Sequence, residues 1–312
     1  MKKIVSLTLL LLVWFGGVAK NPKVWKSLKK DVNIIMISDS GRNGYYDQKP
    51  IAEVLGRVAA AVSPECVVAS GDVHHFEGIA SVHDPLWMTN FELIYDHPSL
   101  MVPWLPILGN HEYRGNTQAV LDYSKISRRW CMKDRYYTKV YKDDGATVRL
   151  VMIDTTPMID SYRRSKGTYA IVGQQDYEKQ LEWLDGVLRD AKEDWIVVVG
   201  HHPIYADTSK SSKERKDMQS RVDAVLRKYD DKVTLYVCGH IHNFQHIRKD
   251  DCKIDYVVNT SAARSRSVKA VDGTQFCSPE TGFSLLAADK KSLCLHMLNG
   301  KGKLLNTITR TK

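Results

Sequence analysis

Cys66-Val67-Val68-Ala69-Ser70-Gly71-Asp72-Val73-His74-His75-Phe76 is the stretch on which the reading of this chain turns. A short apolar run stops at a glycine, an aspartate follows at once, and two histidines come just after it. The apolar part has the composition of a buried strand, and Gly71 marks its end. Asp72 therefore stands in a loop at the carboxyl end of a strand, where open α/β sheets place their ligand chemistry. A carboxylate there must be paired, hydrated or bound to metal, because burying it alone is costly. His75, three residues on, is the second residue to explain.

The same pattern recurs on both sides of this stretch. Val32 to Ser38 reads as a buried strand and ends in Asp39-Ser40-Gly41. Pro50 to Val62 has helical spacing at Ile51, Val54, Leu55, Val58 and Val62, which makes a strand–helix–strand unit. Phe91 to Leu100 reads as helical, and the apolar run Val102 to Leu108 delivers Gly109-Asn110-His111-Glu112. Tyr136 to Tyr141 and Thr147 to Ile153 read as strands joined by a turn at Asp143-Asp144-Gly145. Asp176 to Ala191 reads as a helix with Tyr177, Leu181, Leu184 and Leu188 on one face. Trp195 to Val199 is a buried strand leading to Gly200-His201-His202-Pro203. Residues 206–217 read as an exposed loop and Met218 to Lys228 as a helix. Val233 to Cys238 is a further buried strand, ending in Gly239-His240-Ile241-His242. Beyond it, Tyr256 to Asn259, Gly282 to Ala287 and Leu293 to Leu298 read as strands.

Asp39, Asp72, Asn110 with His111, His201 with His202, and His240 with His242 thus all follow apolar runs. One such ending means little, since a lone histidine is usually structural. Several in one sheet-forming chain converge, because the strand ends of a sheet face one cleft. Carboxylates, a carboxamide and imidazoles suit first-row divalent or trivalent metals, and no thiolate belongs to the set. Two metals sharing a carboxylate fit this number of ligands and could clamp a phosphoryl group.

The remainder of the chain bounds this reading. It has 312 residues, 43% hydrophobic and 26% charged, with a formal charge of +9. These are the proportions of a globular protein with a large core. The positive surplus is spread out, without a dense basic tract or nucleic-acid motif, so no specific nucleic-acid partner is expected. Residues 1–19 read as a signal peptide: Lys2 and Lys3, the apolar run Ile4 to Phe15, then Gly17-Val18-Ala19 as a cleavage site. An uncleaved anchor is the alternative. An exported protein, periplasmic or secreted, follows, without stable membrane insertion once the signal is removed. Residues 20–30 read as a polar lead-in and 31–312 as one catalytic domain, expected to be monomeric. Of the six cysteines, Cys66 and Cys238 sit in strand-like runs as buried thiols, whereas Cys252 and Cys277 could pair.

The strand-end motifs, in this order, resemble the calcineurin-like metallophosphoesterases, and within them the small, tartrate-resistant (type 5) purple acid phosphatases. Pro98-Ser99-Leu100, Val102-Pro103-Trp104, Gly115-Asn116, Tyr123 to Ser127 with Trp130, Tyr136-Tyr137 and Ala191 to Asp194 are similar to that family's framework. The resemblance spans roughly residues 31–310. It implies an α/β fold, a four-layer αββα sandwich of two mixed β-sheets flanked by helices. It implies a phosphatase acting on phosphomonoesters, of small molecules or phosphoproteins, through two metal ions and in-line attack by metal-bound hydroxide. A phosphodiesterase or nucleotidase using the same site, or a binding module without turnover, are the alternatives. By the resemblance Asp72 bridges the metals, Asp39 and His242 bind the first, and Asn110, His201 and His240 bind the second. His111 would stabilise the transferring group or protonate the leaving group, acting with Asp72 as the catalytic pair, and Asn110, His111 and His202 would face substrate.

Three positions depart from that family. His75 stands where it has the tyrosine whose phenolate binds ferric iron and gives the purple colour. Ser38 replaces a glycine, and His202 stands where tyrosine is common. His75 could be a substitute ligand, a group just behind the ligands or an unliganded residue of the cleft. Losing the phenolate removes a hard anionic ligand, so zinc, manganese or ferrous iron become suitable occupants. No tyrosinate colour is expected, and a pH optimum moved from acid toward neutral. Glu112 could orient His111, and Arg114, Tyr205 and Lys210 are possible substrate contacts.

Overall fold

The structure, a computed structural model, describes residues 22–312. The signal-peptide reading of residues 1–19 lies outside the described residues. In chain order the first strands are β1 (Val32–Ile37), β2 (Cys66–Ala69), β3 (Trp104–Pro106), β4 (Tyr137–Asp143), β5 (Ala146–Met152), β6 (Trp195–Val199) and β7 (Val233–Cys238). They are followed by β8 (Phe244–Ile247), β9 (Asp255–Val258), β10 (Thr274–Ser278), β11 (Gly282–Ala288), β12 (Ser292–Asn299) and β13 (Leu304–Thr311). They form a six-stranded sheet, β13-β12-β11-β1-β2-β3, and a seven-stranded one, β10-β8-β9-β7-β6-β5-β4. Both are mixed: β1, β2 and β3 run parallel, as do β5, β6, β7 and β9, with antiparallel strands outside them.

The parallel strands are apolar along their whole length because both faces are covered. Val32–Ile37 and Trp195–Val199 are buried at every position. The edge strand β4 is the contrast: Lys139 and Lys142 leave it largely exposed, which blunts an otherwise pairable edge. Helix α1 (Pro22–Lys26) and helix α2 (Gln48–Val62) pack together, and α2 buries Ile51, Val54, Leu55, Val58 and Val62. Short helices α3 (Thr117–Asp122) and α4 (Asp160–Arg164) sit in connections. Helix α5 (Tyr177–Asp190) starts at Asp176, whose side chain accepts from the Lys179 amide at 3.0 Å.

The expected strands β1, β2, β5, β6, β7, β11 and β12 form within a residue or two of their sequence bounds, while β8, β10 and β13 add to the sheets. Four expectations are corrected. Phe91 to Leu100 is not a helix but a wide turn at Met88–Glu92 and a tight one at Pro98–Leu100. The residue before a proline is pushed out of helical geometry, and His97 is extended with ψ 134°. Residues 206–217 are not wholly loop: Ser211 caps the Lys213 amide at 3.2 Å and starts α6 (Ser212–Met218), which continues through a π turn, Gln219–Asp223. The polar lead-in holds α1, and its Trp25 is buried, donating Nε1–H to the Gly302 carbonyl at 2.8 Å. Cys252 and Cys277 are not paired; all six cysteines are free thiols, and Cys252 Sγ lies 3.4 Å from the Tyr256 hydroxyl.

The cleft is also made differently from the one-sheet convergence expected at first. Asp39, Asp72 and Asn110 follow strands of the six-stranded sheet, and His201 and His240 follow strands of the seven-stranded sheet. The carboxyl ends of the two sheets are stitched together. Asn259 Nδ2 donates to the Met36 carbonyl at 3.0 Å, the Ala262 amide to the Ser38 carbonyl at 2.9 Å, and Ser261 Oγ to the Asp39 carbonyl at 2.8 Å.

Trp25 ties the start of the described chain to the β12–β13 turn. Trp25→Ala is expected to cost about 3–5 kcal/mol, the range for truncating a buried aromatic. Equilibrium denaturation would read this as a lower midpoint, and a loss under about 1 kcal/mol would show that the segment is not part of the cooperative core.

Candidate metal centre

Asp39, Asp72, His240 and His242 all have left-handed backbones, with φ of 49°, 55°, 72° and 59°. None is glycine, so each holds a conformation costing on the order of 1–3 kcal/mol. Such conformations re-aim a side chain at the point where a strand stops. Two glycines make room for the result. A Cβ on Gly109 would sit 2.3 Å from Asp72 Oδ1, and one on Gly239 would sit 1.7 Å from Ser38 Oγ and 2.5 Å from Asp39 Oδ2. Nothing larger than glycine fits at either position.

Asp72 is the centre of the arrangement and is 1% exposed. Its Oδ1 accepts the His111 amide at 2.9 Å. Its Oδ2 faces three imidazoles: His201 Nε2 at 3.2 Å, His75 Nε2 at 3.4 Å and His111 Nε2 at 3.9 Å. Asp39 Oδ2 accepts from Ser38 Oγ at 2.6 Å and from the His240 amide at 2.8 Å, while its Oδ1 lies 3.2 Å from His242 Nε2. That close approach is not aligned as a hydrogen bond, and Asp39 Oδ1 has no hydrogen-bond partner among the described residues. Neither has Asn110 Oδ1.

The outer nitrogens set the tautomers. His201 Nδ1 bonds the Ser70 carbonyl at 2.8 Å and His111 Nδ1 bonds the Phe76 carbonyl at 2.6 Å. A carbonyl only accepts, so both rings carry the proton on Nδ1 and turn Nε2 inward. His240 is reversed: its Nε2 lies 3.3 Å from Glu214 Oε2, and its Nδ1 faces His201 Nε2 at 3.3 Å. A carboxylate behind a histidine fixes the ring and raises its basicity.

Burial pushes the Asp72 carboxyl up, but the facing charges of His201, His111 and His75 hold it well below its ordinary range. Burial likewise raises Asp39, and His242 pulls it below its usual value. His201 shows the reciprocal effect: burial lowers it, but Asp72 raises it to about 9. His75 is lowered to about 4, chiefly by burial. The centre therefore gathers two buried carboxylates and several imidazoles in one place. Imidazole lone pairs aimed at carboxylate oxygens repel unless a cation lies between them. The orphaned Asp39 and Asn110 oxygens, the inward nitrogens and the oxygen–nitrogen donor set fit divalent cations.

The structure brings Asp39, Asp72, His75, Asn110, His111, His201, His240 and His242 to one place. Donor atoms of Asp39, His75 and His242, of Asp72, His75 and His111, of Asp39, Asp72 and His201, and of His201, His202 and His240 lie within 4.8 Å of one another in each group. His74 is turned away and packs edge-on against Trp87 at 4.5 Å. His202 is wholly buried beside the centre, its Nδ1 2.8 Å from Thr155 Oγ1, its ring 4.4 Å from that of His240, and its Nε2 without a hydrogen-bond partner among the described residues. Glu112 does not orient His111. Its carboxylate accepts the amides of Gly109 at 2.7 Å, Asp72 at 2.9 Å and His74 at 3.0 Å, clamping two strand ends together. Burial, then the Asp72 charge, raises it to about 7. Tyr205 is engaged with Asp223 at 2.8 Å, and Arg114 with the Tyr169 hydroxyl at 3.3 Å. Lys210 is half-buried beside Glu214 and His240. Sequence reasoning missed Glu214, whose only signal was the Ser211 cap that starts α6, and Arg42, which is buried next to Gly41.

Comparison with known proteins agrees with this geometry. The profile of the calcineurin-like phosphoesterases matches residues 32–244. Purple acid phosphatase 3 of Arabidopsis thaliana is 32% identical over 258 residues, covering 80% of this chain and 67% of that one. Tartrate-resistant acid phosphatase type 5 of Oryctolagus cuniculus is 30% identical over 213 residues, covering 67% and 64%. Among solved structures, GAP50, described as the anchor in the inner membrane complex of Plasmodium, superposes with a TM-score of 0.75 at 20% identity, covering 91% of this chain and 89% of that one. That likeness concerns the fold alone.

Glu214→Gln should weaken binding of manganese or zinc by about 10–100-fold, the range for losing the partner of a ligating histidine. Equilibrium dialysis would measure it. In thermal unfolding, either metal at about 100 times its Kd should stabilise the wild-type chain by ~2.7 kcal/mol, and Asp72→Asn should abolish that gain. An equal gain in the variant would mean that Asp72 is not a ligand.

Proposed function

Because this chain belongs to the calcineurin-like phosphoesterase family, and is thereby a metal-dependent phosphoric ester hydrolase, we propose that it cleaves phosphomonoesters at a dinuclear centre organised by Asp72. The observation that carries this is the single Asp72 oxygen faced by His201, His75 and His111 at 3.2, 3.4 and 3.9 Å. One oxygen with donors on several sides is the geometry of a shared ligand. Asp39, His75 and His242 would hold one cation, and Asn110, His201 and His240 the other. Bound there, the cations supply Lewis acidity, acidifying water and taking up charge on the phosphoryl oxygens.

The chain's own residues do the rest. Asp72 and Asp39 are kept ionised, so both serve as ligands across the working pH range. Glu214, Ser70 and Phe76 fix the rings of His240, His201 and His111, which spares reorganisation when substrate arrives. His111 is the partly exposed member, with a side-chain exposure of 13%. With Nδ1–H committed to Phe76, its Nε2 is the atom that can hold a proton for the departing oxygen, a general-acid role. His75 replaces a phenolate, which favours divalent occupants and a pH optimum nearer neutral than acid. The apolar run at residues 4–15 supports export. Purple acid phosphatase relatives support monoester hydrolysis.

The first test is turnover of aryl phosphate and bis-aryl phosphate by metal-replete protein. Monoester turnover well above diester turnover is expected, and the reverse would make it a diesterase. No turnover despite two bound metals would favour a binding module. His111→Ala should lower kcat/KM for an alkyl phosphate by about 10²–10⁴-fold, less for a nitrophenyl ester whose leaving group needs no proton, with metal content unchanged. Loss of metal instead would reassign His111 as a ligand. Iron-loaded wild-type protein should show no visible tyrosinate band, and His75→Tyr should create one; a purple wild-type protein would contradict the assignment of His75.

A further inference from the structure

A recess of about 410 Å³ opens beside the centre, lined by Arg42, Tyr45, Tyr46, His75 and Phe76 among others. Three of its aromatic rings face solvent: Tyr45 is 71% exposed, Tyr46 59% and Phe76 58%. Exposing three large rings together is costly unless something covers them. They are also held in place. Tyr46 has a left-handed backbone, φ 54°, and the Arg264 guanidinium lies 5.1 Å from its ring. The loop carrying Tyr45 and Tyr46 is pinned by Gln48 Oε1, which accepts the Arg42 amide at 3.1 Å and the Gly44 amide at 2.7 Å, and by Asn90 Oδ1, which accepts the Asn43 amide at 2.7 Å.

The recess is continuous with the chemistry. The Phe76 ring is 5.8 Å from His75 and 5.9 Å from His111. Arg42 lies between the two regions. Its guanidinium sits 5.0 Å over the Phe76 ring and feels the Asp39 and Asp72 charges. Arg42 is 7% exposed, yet its Nε and Nη1 have no hydrogen-bond partner among the described residues. Two unsatisfied donors on a buried guanidinium call for an acceptor. Guanidinium suits phosphate oxygens, and the ring walls suit a planar π face.

We propose that Arg42 and the Tyr45–Tyr46–Phe76 recess form a leaving-group subsite, selecting phosphate esters whose organic part carries an aromatic ring. The inference rests on the phosphomonoesterase reading above and adds its substrate class. Arg42 takes an oxygen of the ester, and the ring stacks in the recess. A nucleobase and a simple aryl group share this chemistry.

The test compares esters of matched intrinsic reactivity: 2-phenylethyl phosphate against butyl phosphate, and adenosine 5′-monophosphate against ribose 5-phosphate. In metal-loaded wild-type protein, kcat/KM should favour the aromatic member by about 5–10-fold, the scale of one stacking contact. The double variant Tyr45→Ser with Tyr46→Asn, asparagine being tolerant of the left-handed backbone, should bring the ratio close to one. An advantage in both pairs identifies a general aryl subsite, and one in the adenosine pair alone identifies a nucleotide subsite. A ratio near one in wild-type protein for both pairs, or a ratio that the double variant leaves unchanged, overturns the proposal. Binding of 2-phenylethylphosphonate and butylphosphonate, followed by calorimetry, keeps the two readings apart. If no ester is hydrolysed, the function above fails, while the same 5–10-fold difference in Kd, lost in the double variant, still supports the subsite and its absence rejects it. Arg42→Gln should weaken both phosphonates about tenfold; unchanged Kd values remove Arg42 from the subsite.

Discussion

Everything in this structure depends on keeping the Asp72 carboxylate charged while it is buried. A carboxylate taken out of water recovers that loss only through close, well-directed positive charge. Among the described residues no lysine or arginine lies within ion-pair distance of either of its oxygens; imidazole nitrogens do, at 3.2–3.9 Å. Three neutral imidazoles cannot balance a carboxylate, and the second buried carboxylate, Asp39, makes the deficit larger. Metal cations supply that balance, and the catalytic chemistry follows from that electrostatic need.

The fold is arranged around the same need. Two sheets bring their carboxyl ends together, each contributing part of the donor set, so the centre exists only when both are docked. Hydrogen bonds from Asn259, Ser261 and Ala262 to the chain around Asp39 fasten them. Four left-handed, non-glycine residues sit where strands end. That conformational cost is concentrated at the ligands themselves and is sustained by the packing of β1, β2 and β7 behind them. Local rules are broken where the chemistry is, which is where a folded enzyme is expected to break them.

Much of this was legible in the sequence, because apolar runs stopping at a polar ligand are a local signal. Val32 to Asp39, Cys66 to Asp72, Trp195 to His201 and Val233 to His240 each showed a strand and its functional end together. What could not be read was the pairing of distant segments. The division of the ligands between two sheets depends on β11 pairing with β1, which no local pattern encodes. Glu214 reaches His240 across 26 residues from a stretch whose Ser, Lys and Asp content resembled a loop. Glu112 looked like a partner for its neighbour His111, but its carboxylate was taken by three backbone amides. Arg42 was indistinguishable from a surface arginine until its burial and its unpartnered nitrogens were seen. The helical pattern of Phe91 to Leu100 did not show that the helical turn stops at Glu92 and a separate one begins at Pro98.

The central claim is that Asp72 joins two metal ions, one on each side of a single carboxylate. Anomalous diffraction from crystals of the metal-loaded protein, recorded at the absorption edge of the metal supplied, measures this directly. The account predicts two peaks roughly 3.5–4 Å apart. Both should lie in contact with Asp72, one also touching Asp39, His75 and His242, the other Asn110, His201 and His240. A single peak, or two peaks of which either lies out of reach of Asp72, would contradict it.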